Sequence, residues 1–312
     1  NGKELQEELS LNLYDYGARN YDPSLGRWMN LDNSAEYYCP NSPYSYSFNN
    51  PLFFIDPDGN DPTPYEAALI AAHVYGDGKH DLVGGWQVST MNLNYNNKTL
   101  GFKFGLYERT VNGKTEYVLA YAGTDDLDDV LDDINQVVGL SNQYKAASNL
   151  AALINSNEKI KGNTLVFVGH SLGGGLSNLS SKVTGRSSIT FNPAWLSNNT
   201  RFLNKKNIKP LSKGNYIHNY VNRLDPLDKL QQTRIARDFG LRSDGEKFRV
   251  GDLFDYFGDD TYLGHSIDTM IEEMSGGGMY DLLGDQEDDY RGDVRAANGD
   301  DYDDVSQSPR YF

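Results

Sequence analysis

Apolar and polar positions along the chain change their rhythm twice, near residue 60 and near residue 276. Before the first change, aromatic residues alternate with turn formers, as in Leu13-Tyr14-Asp15-Tyr16-Gly17 and Asn20-Tyr21-Asp22-Pro23, which predicts short strands joined by tight turns. After it, Thr63-Pro64-Tyr65-Glu66 reads as a helix start, with Thr63 as N-cap, Pro64 at the first helical position and Glu66 three residues after the cap. That helix is expected to run through Ala67 to Tyr75. Two strand-like runs, Phe102 to Arg109 and Glu116 to Tyr121, flank Asn112-Gly113, a type I′ turn pair, and predict a hairpin. From Tyr144 to Ile154 apolar positions recur at helical spacing. Leu165, Val166, Phe167 and Val168 form the continuous apolar run of a strand buried on both faces, a helix is expected from Leu172 to Val183, and Ser188 to Phe191 and Tyr216 to Val221 read as further strands. Strands alternating with helices imply an α/β fold with a mostly parallel central sheet.

These rhythms divide the chain into residues 1–60, 61–275 and 276–312. The last segment is rich in glycine and then acidic, with ten Asp or Glu against three arginines from Asp281 onward, and reads as a solvated tail. With 312 residues and 38% apolar composition there is room for one large core and something small beside it. The chain begins at Asn1 rather than Met, which suggests a fragment or a processed product. It contains no apolar run long enough to span a bilayer and no signal peptide, so export would depend on something else. Cys39 is the one cysteine, which rules out an intrachain disulfide. A net charge of -16 argues against nucleic acid and against electrostatic docking on anionic lipid, leaving apolar contact with a membrane.

The densest chemistry lies in Gly169-His170-Ser171-Leu172-Gly173, between the apolar strand and the small-residue helix. This is a nucleophile elbow: a serine on a sharp strand-to-helix turn presents its Oγ, and glycines flank it because a β-carbon there would strike the neighbouring strand or helix. Such a serine needs a general base, and the base needs an acid. On elbow folds the chain order is Ser, acid, His, and only His218 and His265 follow Ser171. His218 lies inside a predicted strand, which leaves His265 as the base. Asp225, first off that strand and followed by Pro226, is the favoured acid, with Asp228 its nearest rival. His170 is expected to pack into the fold, His73 to have a structural role, and His80 has no assigned role. The Leu172 N–H should supply one oxyanion donor, and the strand-end loop Ala122-Gly123-Thr124 the other through Thr124. The aspartates at 125, 126, 128, 129, 132 and 133 lack the spacing of a calcium loop and read as helix-start acids, so no metal or cofactor is expected. Residues 76–86 and 238–262 are both candidates for a lid, and most acidic residues in the latter should be surface charges.

Two resemblances add to this reading. The combination Tyr14-Asp15-Tyr16-Gly17-Ala18-Arg19-Asn20-Tyr21-Asp22-Pro23, Gly26-Arg27-Trp28, Asn49-Asn50-Pro51 and Asp56-Pro57-Asp58-Gly59 resembles the closing segment of the core of Rhs (YD-repeat) proteins. In that family an upstream β-shell encloses a C-terminal toxin, so residues 1–60 would be a short β-rich remnant of it. Asp32 and Asp56 match positions that serve self-cleavage in the family, although Asn33 and Asn60 depart from its usual Pro and Leu; both aspartates can equally make Asx turns. Ala122-Gly123-Thr124, Gly169-His170-Ser171-Leu172-Gly173-Gly174, Phe191-Asn192-Pro193-Ala194, Asp225-Pro226 and Gly264-His265 together resemble the class 3 lipase group of α/β-hydrolases. That likeness maps the catalytic residues to Ser171, Asp225 and His265 and the oxyanion residue to Thr124, with Ala122 and Val130 standing where Arg and Trp are common.

Together the resemblances imply a serine ester hydrolase acting on lipid, an A-type phospholipase at a membrane surface. It would serve as the toxin of a secreted Rhs effector that a secretion system delivers into a target cell, with an immunity protein as partner. A lipase or esterase for neutral or soluble esters and an inert binding or structural fragment are the competing readings.

Overall fold

The computed structural model describes residues 5–6, 11–15, 19–30, 44, 62–76, 78–93, 95, 99, 101–111, 113–123, 137–238, 240–250 and 265–275. The N-terminal strands β1 (Leu5–Gln6), β2 (Leu13–Asp15), β3 (Asn20–Asp22) and β4 (Arg27–Trp28) pair as a small antiparallel meander. Its register sets Tyr14 opposite Tyr21 and Tyr21 opposite Trp28, and these rings form its apolar centre. The Arg19 guanidinium lies 4.4 Å from the Trp28 ring centroid, a cation–π contact closing the cluster. Short strands and tight turns are what the alternation of aromatic and turn residues predicts for this stretch.

The larger sheet has, among the described residues, seven strands in the order β11-β10-β9-β8-β7-β6-β5: β5 (Gln87–Val88), β6 (Phe104–Val111), β7 (Lys114–Tyr121), β8 (Thr164–His170), β9 (Ser187–Phe191), β10 (Ile217–Asn222) and β11 (Glu246–Val250). Strands β7 to β11 are parallel, while β5 and β6 are antiparallel to their neighbours. The hairpin β6–β7 closes with Val111 opposite Lys114, a two-residue loop in which Gly113 has φ +77, as the Asn-Gly pair predicts.

Side-chain alternation on the central strands builds two cores. Val118, Ala120, Val166 and Val168 face helix α1 (Pro64–His73), while Tyr117, Leu119, Tyr121, Leu165 and Phe167 face α2 (Val137–Asn155) and α3 (Leu172–Thr184). Parallel strands advancing one way across a sheet place their crossover helices on one face, because the crossovers are right-handed. The other face is then covered by α1 from before the sheet and α7 (Ile267–Ser275) from after it, whose Met270 and Ile271 join the α1 core.

Helix α1 begins with the full capping box: Thr63 Oγ1 accepts from Glu66 N, and Glu66 Oε2 accepts from Thr63 N. It ends at His73, two residues sooner than expected, as Tyr75 N and Gly76 N tighten onto Ala72 O and His73 O and Gly76 enters the left-handed region. The sequence reading did not assign α4 (Asn198–Asn204), α5 (Pro226–Gln231), α6 (Arg234–Asp238) or the edge strands β5 and β11. Part of each lid candidate is built into the fold: 246–250 is a sheet strand, and Trp86 is buried in the α1 core. Of the acidic residues after Asp238, most of which were expected at the surface, Asp244 has a largely buried side chain paired with Lys182 and Arg201. Among the described residues no helix is long and apolar enough to cross a membrane.

Candidate active site

The parallel strands deliver their chemistry to one edge. Strand β8 ends at His170, and Ser171 follows with φ 55 and ψ −125, a backbone strained for a residue with a β-carbon. The turn is over-determined by hydrogen bonds. Ser171 N donates to Phe191 O at 3.0 Å, and the Ser171 carbonyl accepts from Gly174 N, Gly175 N and Ala194 N at 2.9 to 3.2 Å. The glycines are steric necessities: a β-carbon on Gly169 would run into the Gly173 carbonyl, and one on Gly173 into the Tyr121 carbonyl. Leu172 is the first residue of α3, so its N–H has no acceptor within the helix and is available at the elbow.

Strand β10 ends at Asn222, and Asp225 caps α5, its carboxylate accepting from Leu227 N at 3.0 Å and Asp228 N at 3.1 Å. The same carboxylate lies 2.7 Å from His265 Nδ1. A carboxylate only accepts, so Nδ1 carries a proton, and in the neutral ring Nε2 is then the atom with the lone pair. Ser171 and His265 are each about 1% exposed, and both Ser171 Oγ and His265 Nε2 are buried without a hydrogen-bond partner. Buried polar atoms left without a partner are costly, and in a native structure each calls for a use. The rival acid Asp228 lies elsewhere: Lys247 Nζ at 2.9 Å, Arg249 Nη1 at 2.5 Å and Gln232 Nε2 at 2.6 Å hold it.

The other histidines sort themselves by environment. His73 Nδ1 meets the Tyr107 hydroxyl at 3.0 Å, and His80 Nε2 lies 2.7 Å from Asp268 Oδ1 on α7. His218 is stacked on Tyr216 and edge-on to Phe248, and burial pushes its pKa down to about 4. His170 turns into the fold, with its ring 4.9 Å from that of His265. Its Nε2 lies 2.6 Å from the His265 carbonyl oxygen and its Nδ1 3.1 Å from the Tyr75 hydroxyl. Burial, and secondarily the neighbouring His265, push its pKa down to about 3, so it stays neutral.

Two residues to which sequence reasoning gave no role also support the site. Tyr75 accepts from Gly123 N at 3.0 Å, at the end of β7. Asn192 Nδ2 donates to His265 O at 3.1 Å, while its Oδ1 takes the Asn222 N–H at 2.8 Å. Asn192 stands in left-handed backbone, φ 43, a conformation that asparagine tolerates better than most residues. Nothing local marks Tyr75. Thr124, Asp32, Asp56, Asn60 and the aspartates from 125 to 133 lie outside the described residues. Among the described residues, no three of His, Cys, Asp or Glu are grouped to hold a metal.

This geometry can be set beside known proteins. The extracellular phospholipase A1 of Serratia liquefaciens is 37% identical over 139 residues, covering 43% of this chain and 41% of that protein. The salivary gland surface protein 1 of Aedes aegypti is 41% identical over 73 residues, covering 23% of this chain and 2% of that protein. The chain thus spans well under half the length of either curated relative. Among solved structures, a triacylglycerol lipase from Penicillium expansum superposes with a TM-score of 0.39 at 13% identity, over 60% of this chain and 77% of that one. A phospholipase-like family model, the Tle-like phospholipase domain, matches residues 66–249, which include Ser171 and Asp225. With more than half of its length so matched, the chain belongs to the Tle-like phospholipase family.

Proposed function

We propose that the protein hydrolyses the acyl ester bonds of phospholipids, as an A-type phospholipase, through an acyl-enzyme on Ser171. The observation that carries this reading is the pair of buried, unpartnered atoms, Ser171 Oγ and His265 Nε2, with Asp225 fixing the histidine from behind. Ser171 Oγ attacks the ester carbonyl as His265 Nε2 takes its proton, and Asp225 stabilises the imidazolium that results. The tetrahedral oxyanion is met by the Leu172 N–H and, from the strand-end loop, by Thr124. Collapse breaks the bond to the lysophospholipid alkoxide, which takes the proton from His265. Water, activated by the same histidine, then releases the fatty acid and restores Ser171.

The family and the Serratia relative support phospholipid as substrate. The likeness of residues 1–60 to an Rhs core supports a finer placement, as the toxin of an effector carried behind an Rhs shell, delivered by a secretion system and restrained by an immunity protein. Fatty-acid release from phosphatidylcholine and phosphatidylglycerol vesicles tests the activity. Wild-type protein should release fatty acid and Ser171→Ala should fall by about 10⁶-fold in kcat, as in serine hydrolases that lose their nucleophile. Release by wild type no greater than by Ser171→Ala rejects the reading, and cleavage of triglyceride but not phospholipid rejects its substrate.

A further inference from the structure

The hydrogen bonds around His170 can be given directions. The His265 carbonyl oxygen only accepts, so His170 Nε2, 2.6 Å away, must carry a proton. His170 is neutral, so its Nδ1 carries none and accepts. The Tyr75 hydroxyl, 3.1 Å from Nδ1, therefore donates to it and accepts in turn from the Gly123 N–H at 3.0 Å. We propose that Tyr75 and His170 are a single positioning unit, a three-bond relay that holds the strand end before Thr124 in register with the main chain of His265.

The relay joins the two sides of the site that must close on one ester, the oxyanion donors and the base. It has little slack, since a β-carbon on Gly123 would lie 2.7 Å from the Tyr75 hydroxyl oxygen and 2.9 Å from the His170 carbonyl oxygen. Its neutrality also matters. A cation on His170, with the two rings 4.9 Å apart, would oppose the imidazolium that His265 becomes during attack. A second donor to the His265 carbonyl, Asn192 Nδ2, ties the base toward the end of β10, so the relay supplies the tie toward β7. The inference rests on the Ser171, His265 and Asp225 reading given above.

The test is a double-mutant cycle on the full chain, reading kcat and KM on phosphatidylglycerol vesicles, the rate of Ser171 labelling by a fluorophosphonate, and Tm. His170→Leu, which removes both partners, should lower kcat and labelling about 30- to 100-fold with KM little changed, the scale expected when buried polar groups lose their partners. His170→Gln keeps a donor for the carbonyl and should recover part of that loss, and Tyr75→Phe should cost about tenfold. The double variant Tyr75→Phe/His170→Leu should be no slower than His170→Leu alone, because one relay can be broken only once. If His170→Leu does not fold, Tyr75→Phe with His170→Gln completes the cycle. Folded variants within twofold of wild type, losses that multiply, or losses carried by KM overturn the relay. If Ser171→Ala remains active, the triad reading has failed; if Ser171→Ala is dead while Tyr75→Phe and His170→Gln match wild type, the relay alone has failed.

Discussion

Asp225 and Asp228 stand three residues apart at the start of the same short helix, and both are buried, yet they are compensated in opposite ways. Around Asp228 the chain gathers two full positive charges, Lys247 and Arg249, both from the edge strand β11, together with the Gln232 amide. Around Asp225 the described contacts are two backbone N–H groups and one imidazole. A carboxylate already matched by cations has little field left for a neighbour. One held by neutral donors keeps its charge for whatever becomes positive next to it. The first arrangement fastens a strand to a helix, and the second holds a histidine in one orientation, as the proposed mechanism requires.

Exchanging charge for a neutral amide should separate the two sharply. Asp225→Asn is expected to lower kcat by about 10⁴-fold, the scale seen when a triad acid becomes an amide, because an Asn amide presented to Nδ1 favours the wrong tautomer. Its Tm should fall only modestly, since Asn also caps a helix, although its one oxygen can replace only one of the two carboxylate oxygens that accept from Leu227 N and Asp228 N. Steady-state hydrolysis and a thermal melt together check this, and near-normal turnover would erase the contrast. Asp228→Ala should do the reverse: it should cost about 3 kcal/mol of stability by stranding two partly buried cations, with kcat of the folded protein unchanged. Urea denaturation beside an assay below the midpoint reads both quantities.

The smallest expected effect concerns protons. His170 and His218 have folded pKa values pushed down to about 3 and about 4 from an ordinary 6.5, so the unfolded chain binds more protons in that range. Their contribution to stability is complete above pH 6.5 and is lost as pH falls toward those folded values. Glu246, 3.8 Å from His218, is well exposed and offsets little of this. His218→Phe, which keeps an aromatic ring between Tyr216 and Phe248, should make the fall of Tm between pH 6.5 and 4 shallower while leaving hydrolysis at pH 7 intact. An unaltered Tm profile would mean that His218 is not charged at a cost on unfolding.

What could be read from the sequence was what is encoded over a few adjacent residues. The capping box at Thr63 and Glu66, the Asn-Gly hairpin and the glycine-flanked elbow each state a local geometric requirement, and each element lies where that requirement places it. Strand β11 was missed because it is Glu-Lys-Phe-Arg-Val, whose charges resemble surface composition. They are there because an edge strand tolerates charge and because Lys247 and Arg249 turn toward Asp228. Tyr75 and Asn192 were missed for another reason. Their partners lie 95 and 73 residues away, and no local pattern encodes a contact of that kind.

The elbow has a consequence on the scale of descent. Its glycines are wedged against main-chain carbonyls, whereas the Ser171 hydroxyl makes no hydrogen bond and the strained backbone beneath it would relax with glycine. A lineage released from selection for hydrolysis can therefore discard the serine freely but not the glycines on either side. Inactive descendants of this chain should be recognisable by an intact frame around an empty position 171.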